Sequence, residues 1–266
     1  MTHAPTALDP LFTAELADEL TARALGNLLA GTLGVLSVPD FLTSDDCTQA
    51  LGALDRLPHQ TYDTDRVERL IGRFGPALND HRRGQDLDTR AYWTHVDQAQ
   101  ERWATLDLDT DPLQALLNGI GTAWGSPVVP ATIGGRPVWG VTIREINSGT
   151  LVHYDELVRE CPHVLDQDVI GQIAVNAWAS TPTSGGETWV WRQRWQPSDQ
   201  RFSSGYGYHD VVAFNAQRLT VAPQLGALQL FSPSWYHRVT PVQAGRRISL
   251  SCFLGYTLTG QLVCWS

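Results

Sequence analysis

The second half of this chain is a succession of short β-prone runs, and this pattern restricts the folds that it can adopt. From residue 127 to the C-terminus, apolar and β-branched runs alternate with turns rich in Gly, Pro, Asn and Ser. Many short strands separated by such turns are typical of β-sandwiches and barrels. We therefore expect an α+β fold with a double-stranded β-helix (jelly-roll) core over residues 127–266.

The first half has helical spacing instead. Apolar periodicity predicts helices over residues 11–29 and 46–57, and an Asp-Pro start predicts a third helix over residues 111–124. Residues 1–126 should therefore be mainly helical and should pack on the jelly-roll core. We expect one domain over residues 1–266, because neither a linker-like stretch nor a change in composition divides the chain.

A His-x-Asp motif in the β-rich half is a candidate metal site. His153 and Asp155 follow a β-rich run and an Asn-Ser-Gly turn. In an extended chain, residues two apart face the same way, so this pair can hold one metal ion. A second motif, His95 and Asp97, lies within the helical spacing of residues 88–106, where the two side chains point to nearly opposite sides. The second pair should not share a metal.

His237 and the segment after it supply the remaining polar groups. Residues 233–251 predict a strand, a turn and a second strand, on which Arg247, Ser249 and Ser251 share one face. A buried Arg is costly without an anionic partner. That partner is either a carboxylate of the protein or a free dicarboxylate, and the strand alone does not decide between them.

The order of these motifs resembles that of the Fe(II)/2-oxoglutarate-dependent dioxygenases, specifically their prolyl-4-hydroxylase-like branch. Further segments fall in the same order between residues 35 and 256: residues 35–47, 173–179, 185–188 and 226–231. The resemblance implies that His153, Asp155 and His237 bind Fe(II), and that Arg247 and Ser249 bind the distal carboxylate of 2-oxoglutarate. Two His and one carboxylate leave three positions on iron for a chelating cosubstrate and O₂.

The resemblance also implies a reaction, the oxidation of an unactivated C–H bond. Hydroxylation is the default outcome, with desaturation or cyclisation as alternatives. Asp155 disfavours halogenation, because related halogenases replace this carboxylate with Gly or Ala to admit chloride. The architecture also resembles bacterial oxygenases that modify free amino acids in natural-product biosynthesis.

One segment of the sequence is a candidate for substrate binding. Residues 66–76 carry several Arg before a Gly-Pro turn. We expect Arg73, which adjoins the turn, to bind the carboxylate of a small-molecule substrate such as an amino acid. The alternative is a solvated helix face, or ion pairs with Asp63, Asp65 or Glu68.

Composition excludes several other functions. The net charge is −9, and the chain has no Lys, which excludes Schiff-base chemistry and a P-loop. An acidic chain without a basic cluster argues against nucleic acid or a membrane as partner. The sequence shows neither a signal-peptide pattern nor an apolar run of membrane-spanning length, so we expect a cytoplasmic protein in which the four Cys are reduced packing residues.

Two other functions fit the sequence. A non-catalytic jelly-roll protein that binds a sugar or another small molecule would explain the strand pattern and the 10 Trp. A cupin-type metalloenzyme would use the metal without 2-oxoglutarate. Anaerobic addition of Fe(II) and 2-oxoglutarate distinguishes them, because a metal-to-ligand charge-transfer band requires chelation of the cosubstrate.

Overall fold

The computed structural model describes residues 9–57, 60–61 and 72–266. The α-helices are α1 (Ala22–Ala30), α2 (Ser44–Arg56), α3 (Thr89–Ala104), α4 (Pro112–Trp124) and α5 (Leu157–Glu160). The strands of three or more residues are β1 (Ala14–Leu16), β2 (Val35–Val38), β3 (Gly72–Phe74), β4 (Thr142–Glu145), β5 (Val169–Ser180), β6 (Thr188–Arg194), β7 (Arg218–Val221), β8 (Leu228–Phe231), β9 (Trp235–Val239), β10 (Val242–Ala244), β11 (Ile248–Thr257) and β12 (Leu262–Trp265).

Short elements connect these helices and strands. The two-residue strands are Gln60–Thr61, Arg82–Arg83, Asp86–Leu87, Val129–Pro130, Thr132–Ile133, Arg136–Pro137, Ser184–Gly185, Ser203–Ser204 and Gly207–Tyr208. The 3₁₀ helices are Leu78–His81, Pro197–Phe202 and Asp210–Val212.

A ten-stranded mixed sheet is the main element of this α+β structure. Its order runs β1-β2-β8-β5-β11-β4-β3 and ends at residues 60–61, while β12 pairs with β11 and with Val129–Pro130. Strands β5 and β11 pair antiparallel along most of their lengths. Helices α1 and α2 pack against β5. Strand β11 is buried along nearly all of its length, so its side chains meet protein or cavity on both faces.

A smaller sheet, in the order β7-β6-β9, lies across a cavity from the ten-stranded sheet. The cavity has a volume of about 700 Å³, and its wall includes Asn176 and Ser251 of the large sheet and Thr188 and His237 of the small one. An isolated bridge between His153 and His237 attaches the segment before α5 to β9. Polar side chains from both sheets therefore face the same cavity.

The predicted helix over residues 11–29 is wrong in its first half. Ala14–Leu16 is a strand that pairs in parallel with β2, and α1 begins only at Ala22. The side chain of Thr21 accepts a hydrogen bond from Ala24 N–H, which fixes the start of α1. Strand pairing with β2 overrides the weak local helix preference before that point.

The other helix predictions are confirmed. Helix α2 begins two residues before the predicted position, where a capping box between Thr43 and Asp46 satisfies its first N–H groups. Helix α4 begins at Pro112, with the side chain of Asp111 as its cap. Helix α3 covers the segment predicted from residues 88–106.

One hydrophobic core joins the N-terminal part to the sheets. It contains Leu25 of α1, Leu54 of α2, Leu116 of α4 and Leu250 of β11, all completely buried. The first 126 residues are not only helical, because β2 and β3 belong to the large sheet. The four cysteines are free and buried, as expected of packing residues. Within the described ranges, no helix has both the length and the apolar character to span a membrane.

Candidate functional site

Two imidazoles and one carboxylate meet on the cavity wall. His237 lies on β9, and His153 exchanges two backbone hydrogen bonds with it, of 3.0 and 2.8 Å. The backbone N–H of Asp155 donates to the carbonyl of Pro233 at 2.9 Å. Because residues paired in this way lie directly opposite each other, the two imidazoles are neighbours, with ring centroids 4.2 Å apart.

The donor atoms of this cluster converge. Oδ2 of Asp155 lies 3.7 Å from Nε2 of His153 and 3.4 Å from Nε2 of His237. One ligand atom from each of the three residues lies within 4.8 Å of the others. This geometry brings together the three metal-binding residues predicted from the sequence.

Backbone carbonyls fix the orientation of both rings. Nδ1 of His153 lies 2.9 Å from the carbonyl of Leu151, and Nδ1 of His237 lies 2.9 Å from that of Trp235. A carbonyl can only accept, so each Nδ1 carries the proton and each Nε2 keeps a lone pair for a metal. The residues present therefore fit a divalent metal ion.

The charge states of the cluster also suit a metal. Burial, and then the nearby His237, lower the pKa of His153 to about 4. Burial raises the pKa of Asp155, but the nearby imidazoles of His153 and then His237 outweigh it and hold that pKa at about 2. A neutral imidazole and an ionised carboxylate are the forms that bind metals. Two imidazoles and one carboxylate are a donor set suited to Fe(II) with open positions.

Arg247 enters the same cavity without an acidic partner. It is 1% exposed. Its Nε donates to the carbonyl of Gly186 at 2.9 Å and its Nη2 to Oγ1 of Thr188 at 3.3 Å. Its guanidinium carbon lies 4.3 Å from the ring centroid of Trp178. Nη1 is buried and has no hydrogen-bond partner among the described residues.

Burial lowers the pKa of Arg247 to about 9. A buried guanidinium with one open donor is stabilised by an anion, and the described residues place no carboxylate against it. Gly186 permits this packing, because its φ of 78° favours glycine and a Cβ there would lie 3.1 Å from Cδ of Arg247. The geometry favours a free dicarboxylate over a protein carboxylate as the partner.

The neighbours of Arg247 support the predicted strand phase. Oγ of Ser249 lies 2.8 Å from Oγ of Ser251, which donates to Oδ1 of Asn176 at 3.0 Å. The described wall of the cavity includes Ser251 rather than Ser249. Arg246 points outward and pairs with Glu145 through two hydrogen bonds of 2.9 and 2.8 Å.

The structure places Arg73 beside the cavity, outside its described wall. Arg73 is 2% exposed and forms an ion pair with Asp80, which does line the cavity. Its role in binding substrate stays a prediction. Residues 62–71, which include its predicted alternative partners, lie outside the described residues.

Arg144 lines the cavity, and sequence reasoning missed it. It lies opposite Arg73 in the antiparallel pair of β3 and β4. The available signal was its position in the β-rich run before His153, on the same face as Thr142. That signal was weak, because a four-residue strand does not define its buried face.

Two parts of the cavity wall carry different charges. The sheet wall comprises the cavity-facing residues of β4, β5, β6 and β9 and of residues 247–253. The loop wall comprises residues 77–85 and 157–160, where Nη1 of Arg82 donates to Oε1 of Glu160 at 2.7 Å. Burial and then the charge of Asp155 raise the pKa of Glu160, against the opposing effect of Arg82. The cavity is thus suited to a charged ligand.

The two side chains of the second His-x-Asp motif have different partners. His95 lies on α3, with its Nδ1 3.1 Å from Nε2 of His81. Asp97 pairs with Arg136 instead.

Comparison with known proteins gives one relative over nearly the full length. No protein-family model matches the sequence. The chain is 43% identical over 258 residues to L-gamma-glutamyl-L-propargylglycine hydroxylase of Streptantibioticus cattleyicolor, covering 96% of each chain. It is 28% identical over 179 residues to leucinostatins biosynthesis cluster protein S of Purpureocillium lilacinum, covering 62% of this chain and 72% of that one.

Solved structures share the fold. The crystal structure of an N-substituted L-amino acid dioxygenase from Burkholderia ambifaria matches with a TM-score of 0.62 at 16% identity, covering 92% of this chain and 91% of that one. A structure from the same organism, with this type of dioxygenase in complex with α-ketoglutarate, also gives a TM-score of 0.62, at 14% identity, with the same coverage.

Proposed function

This chain belongs to the Fe(II)/2-oxoglutarate-dependent dioxygenase superfamily, and we propose that it hydroxylates an amino acid whose amino group carries a γ-glutamyl group. Iron and 2-oxoglutarate are its cofactor and cosubstrate. The name of the relative at 43% identity describes a γ-glutamyl amino acid as the compound that is hydroxylated. Such a substrate bears two carboxylates and one ammonium group.

The observation that carries the proposal is the cluster of His153, Asp155 and His237 in one cavity with the unpaired Arg247. The two imidazole Nε2 atoms and a carboxylate oxygen of Asp155 would hold iron. Nη1 of Arg247 would donate to the distal carboxylate of 2-oxoglutarate, with Ser249 supporting this site through its hydrogen bond to Ser251.

When bound, iron together with 2-oxoglutarate and O₂ supplies the oxidising power for attack on an unactivated C–H bond. The chain supplies positioning. Its sheet wall holds the cosubstrate and orients the substrate. Hydroxylation follows from this arrangement as the default outcome.

The charges of the cavity support the substrate class. Arg82 and Arg144 can each bind a carboxylate of the substrate, and Asp80 and Glu160 can bind its ammonium group. A volume of about 700 Å³ is that of a small-molecule site. Arg73 is proposed to contribute through its ion pair with Asp80, because its side chain lies outside the described cavity wall.

The two rival functions account for less of the site. A sugar-binding protein has no use for two imidazoles with Nε2 lone pairs beside a carboxylate. A cupin-type metalloenzyme without 2-oxoglutarate leaves the open Nη1 of Arg247 unexplained.

We also propose that the two sheets are the halves of a double-stranded β-helix within a single oxygenase domain over residues 1–266. The chain passes between the sheets in the order β4, the His153 bridge, β5, β6, β7, β8, β9 and β11, in which β6 and β7 are successive strands of the smaller sheet. This order supports a jelly roll against which helices α1 and α2 pack. A cytoplasmic location is part of the same proposal, supported by the four free cysteines.

The proposal is tested in two steps. Anaerobic addition of Fe(II) and then 2-oxoglutarate should produce a charge-transfer band, and a panel of γ-glutamyl dipeptides should then stimulate succinate release with a gain of one oxygen atom detected by mass spectrometry. Without the band, the cosubstrate assignment fails. A band together with turnover of free amino acids alone would contradict the γ-glutamyl assignment.

A further inference from the structure

A second arginine of the sheet wall, Arg144, has no role in the iron or cosubstrate binding proposed for this chain. Arg144 lies on β4 opposite Ser249, with its side chain on the cavity wall. Its Nε donates to Oγ1 of Thr142 at 3.1 Å. None of the ion pairs found in the described part of the chain includes Arg144. Its positive charge therefore faces the cavity with no carboxylate of the described residues at ion-pair distance.

Arg144 and Arg247 point to different parts of the cavity. Thr142 pairs with Ser251 in the sheet, so the hydrogen bond to Thr142 turns Arg144 away from Arg247. Arg247 instead adjoins Ile146, whose N–H donates to its carbonyl at 3.1 Å. The guanidinium of Arg247 donates to Gly186 and Thr188 and that of Arg144 to Thr142, so the two groups have different partners and can serve different anions.

Arg144 lies close to the metal-binding residues. Its side chain lines the same cavity as His153, Asp155 and His237. A carboxylate bound to Arg144 would therefore hold the adjoining carbon atoms of the same molecule near the iron site. This is the position that the reacting part of a substrate must occupy.

We propose that Arg144 binds the α-carboxylate of the amino acid that is hydroxylated, and that the enzyme requires this carboxylate to be free. The inference rests on the proposed function and specifies which end of the substrate faces the iron. A substrate held as a thioester on a carrier protein, or as an amide within a longer peptide, lacks this anion. Arg144 would then face the cavity without a counter-charge, and the enzyme would reject such substrates.

The test compares acids with their C-terminal carboxamides. The panel contains γ-glutamyl dipeptides, N-acetyl amino acids and free amino acids, each as an acid and an amide pair. For wild type, the acid of the best pair should exceed its amide in kcat/KM by about a hundredfold, as expected for loss of one charge-assisted pair. For Arg144→Gln, this ratio should fall to near one, with the 2-oxoglutarate requirement within about twofold of wild type.

Matched variants separate this role from general damage. Arg246→Gln removes an exposed guanidinium two residues before β11 and should keep the wild-type acid preference. Arg144→Lys keeps the charge but loses the planar donor pair, so it should keep part of the preference. Calorimetric binding of the best acid, with 2-oxoglutarate present and O₂ absent, gives a readout independent of turnover, and circular dichroism verifies folding.

Several results would overturn the proposal. Equal kcat/KM of wild type for the acid and the amide would do so. An unchanged acid preference in Arg144→Gln, or a complete loss of folding in both Arg144 variants, would also do so. A raised 2-oxoglutarate requirement with the acid preference intact would assign Arg144 to the cosubstrate instead. If N-acetyl acids depend on Arg144 while γ-glutamyl dipeptides are inert, Arg144 is supported and the γ-glutamyl assignment alone fails. If no member of the panel is turned over while the charge-transfer band is intact, both the Arg144 proposal and the γ-glutamyl assignment are overturned.

Discussion

The two walls of the cavity differ in how their charges are paired. On the sheet wall, Arg144 and Arg247 have no carboxylate partner among the described residues. On the loop wall, Arg82 pairs with Glu160, and Asp80 pairs with Arg73 behind it. Unpaired cations held by a rigid sheet are suited to anions that arrive and leave with each turnover. Paired charges on loops are suited to holding the loops in place, and they can exchange partners when a zwitterion binds.

The largest expected effect lies at the metal ligands. His153→Ala or His237→Ala should reduce iron-dependent succinate formation to background while the fold is retained, because a site with two protein ligands loses affinity and geometry. Iron content after anaerobic loading measures the loss of the metal site, and circular dichroism measures the retention of the fold. Succinate formation at the wild-type rate would remove that residue from the site.

Arg247→Ala should have the next largest effect. Loss of a charge-assisted hydrogen bond of about 1.5–3 kcal/mol raises the apparent requirement for 2-oxoglutarate by roughly ten- to a hundredfold. The Fe(II) requirement should change far less. Arg246→Ala is the matched control, since Arg246 pairs with Glu145 at the surface. If Arg246→Ala gives the larger effect, the predicted strand phase is wrong by one residue.

Arg73→Ala should act on stability more than on cosubstrate binding. Removing one partner of a buried ion pair costs about 3 kcal/mol, because Asp80 is left without compensation. Denaturant unfolding should show this loss, and the Arg73→Ala/Asp80→Asn double variant should recover part of it. Substrate affinity measured for the same variants tests the original prediction: equal affinity in Arg73→Ala and wild type would reject a role for Arg73 in substrate binding.

The smallest expected effect is on the loop wall. Glu160→Gln should raise KM for a γ-glutamyl dipeptide by about tenfold, since it removes one negative charge that can face the glutamyl ammonium group. The N-acetyl analogue, which has no ammonium group, should be unaffected. If KM rises equally for both substrates, Glu160 serves only to hold Arg82. The paired charges of the loop wall then hold the loops and take no part in binding the substrate.

Local periodicity predicted the residues whose neighbours lie close in sequence. The two-residue period of an extended chain was enough to pair His153 with Asp155 and to put Arg247 on the same face as Ser249. It could not supply partners from elsewhere in the fold. The ion pair of Arg73 with Asp80 depends on how the strand and the following 3₁₀ helix meet, and the position of Arg144 depends on which side of a four-residue strand faces the cavity.

The same limit explains the failure at residues 11–29. Apolar spacing there is compatible with a helix, but the first part of the segment pairs with β2, which lies more than fifteen residues further along the chain. Partners brought together by the fold decide the structure where local preference is weak.

The hydrogen bonds from Nδ1 of His153 and His237 to backbone carbonyls have a consequence for metal selection. Each accepting carbonyl belongs to the residue two positions earlier, so the strand itself orients the ring before any metal arrives. Such a prearranged set of nitrogen and oxygen donors follows the general order of divalent-metal affinities, in which Co²⁺, Ni²⁺ and Cu²⁺ bind more tightly than Fe²⁺. The identity of the bound ion is then set by the supply of metals in the cell, and a purified sample exposed to nickel should exchange its iron and lose turnover without unfolding.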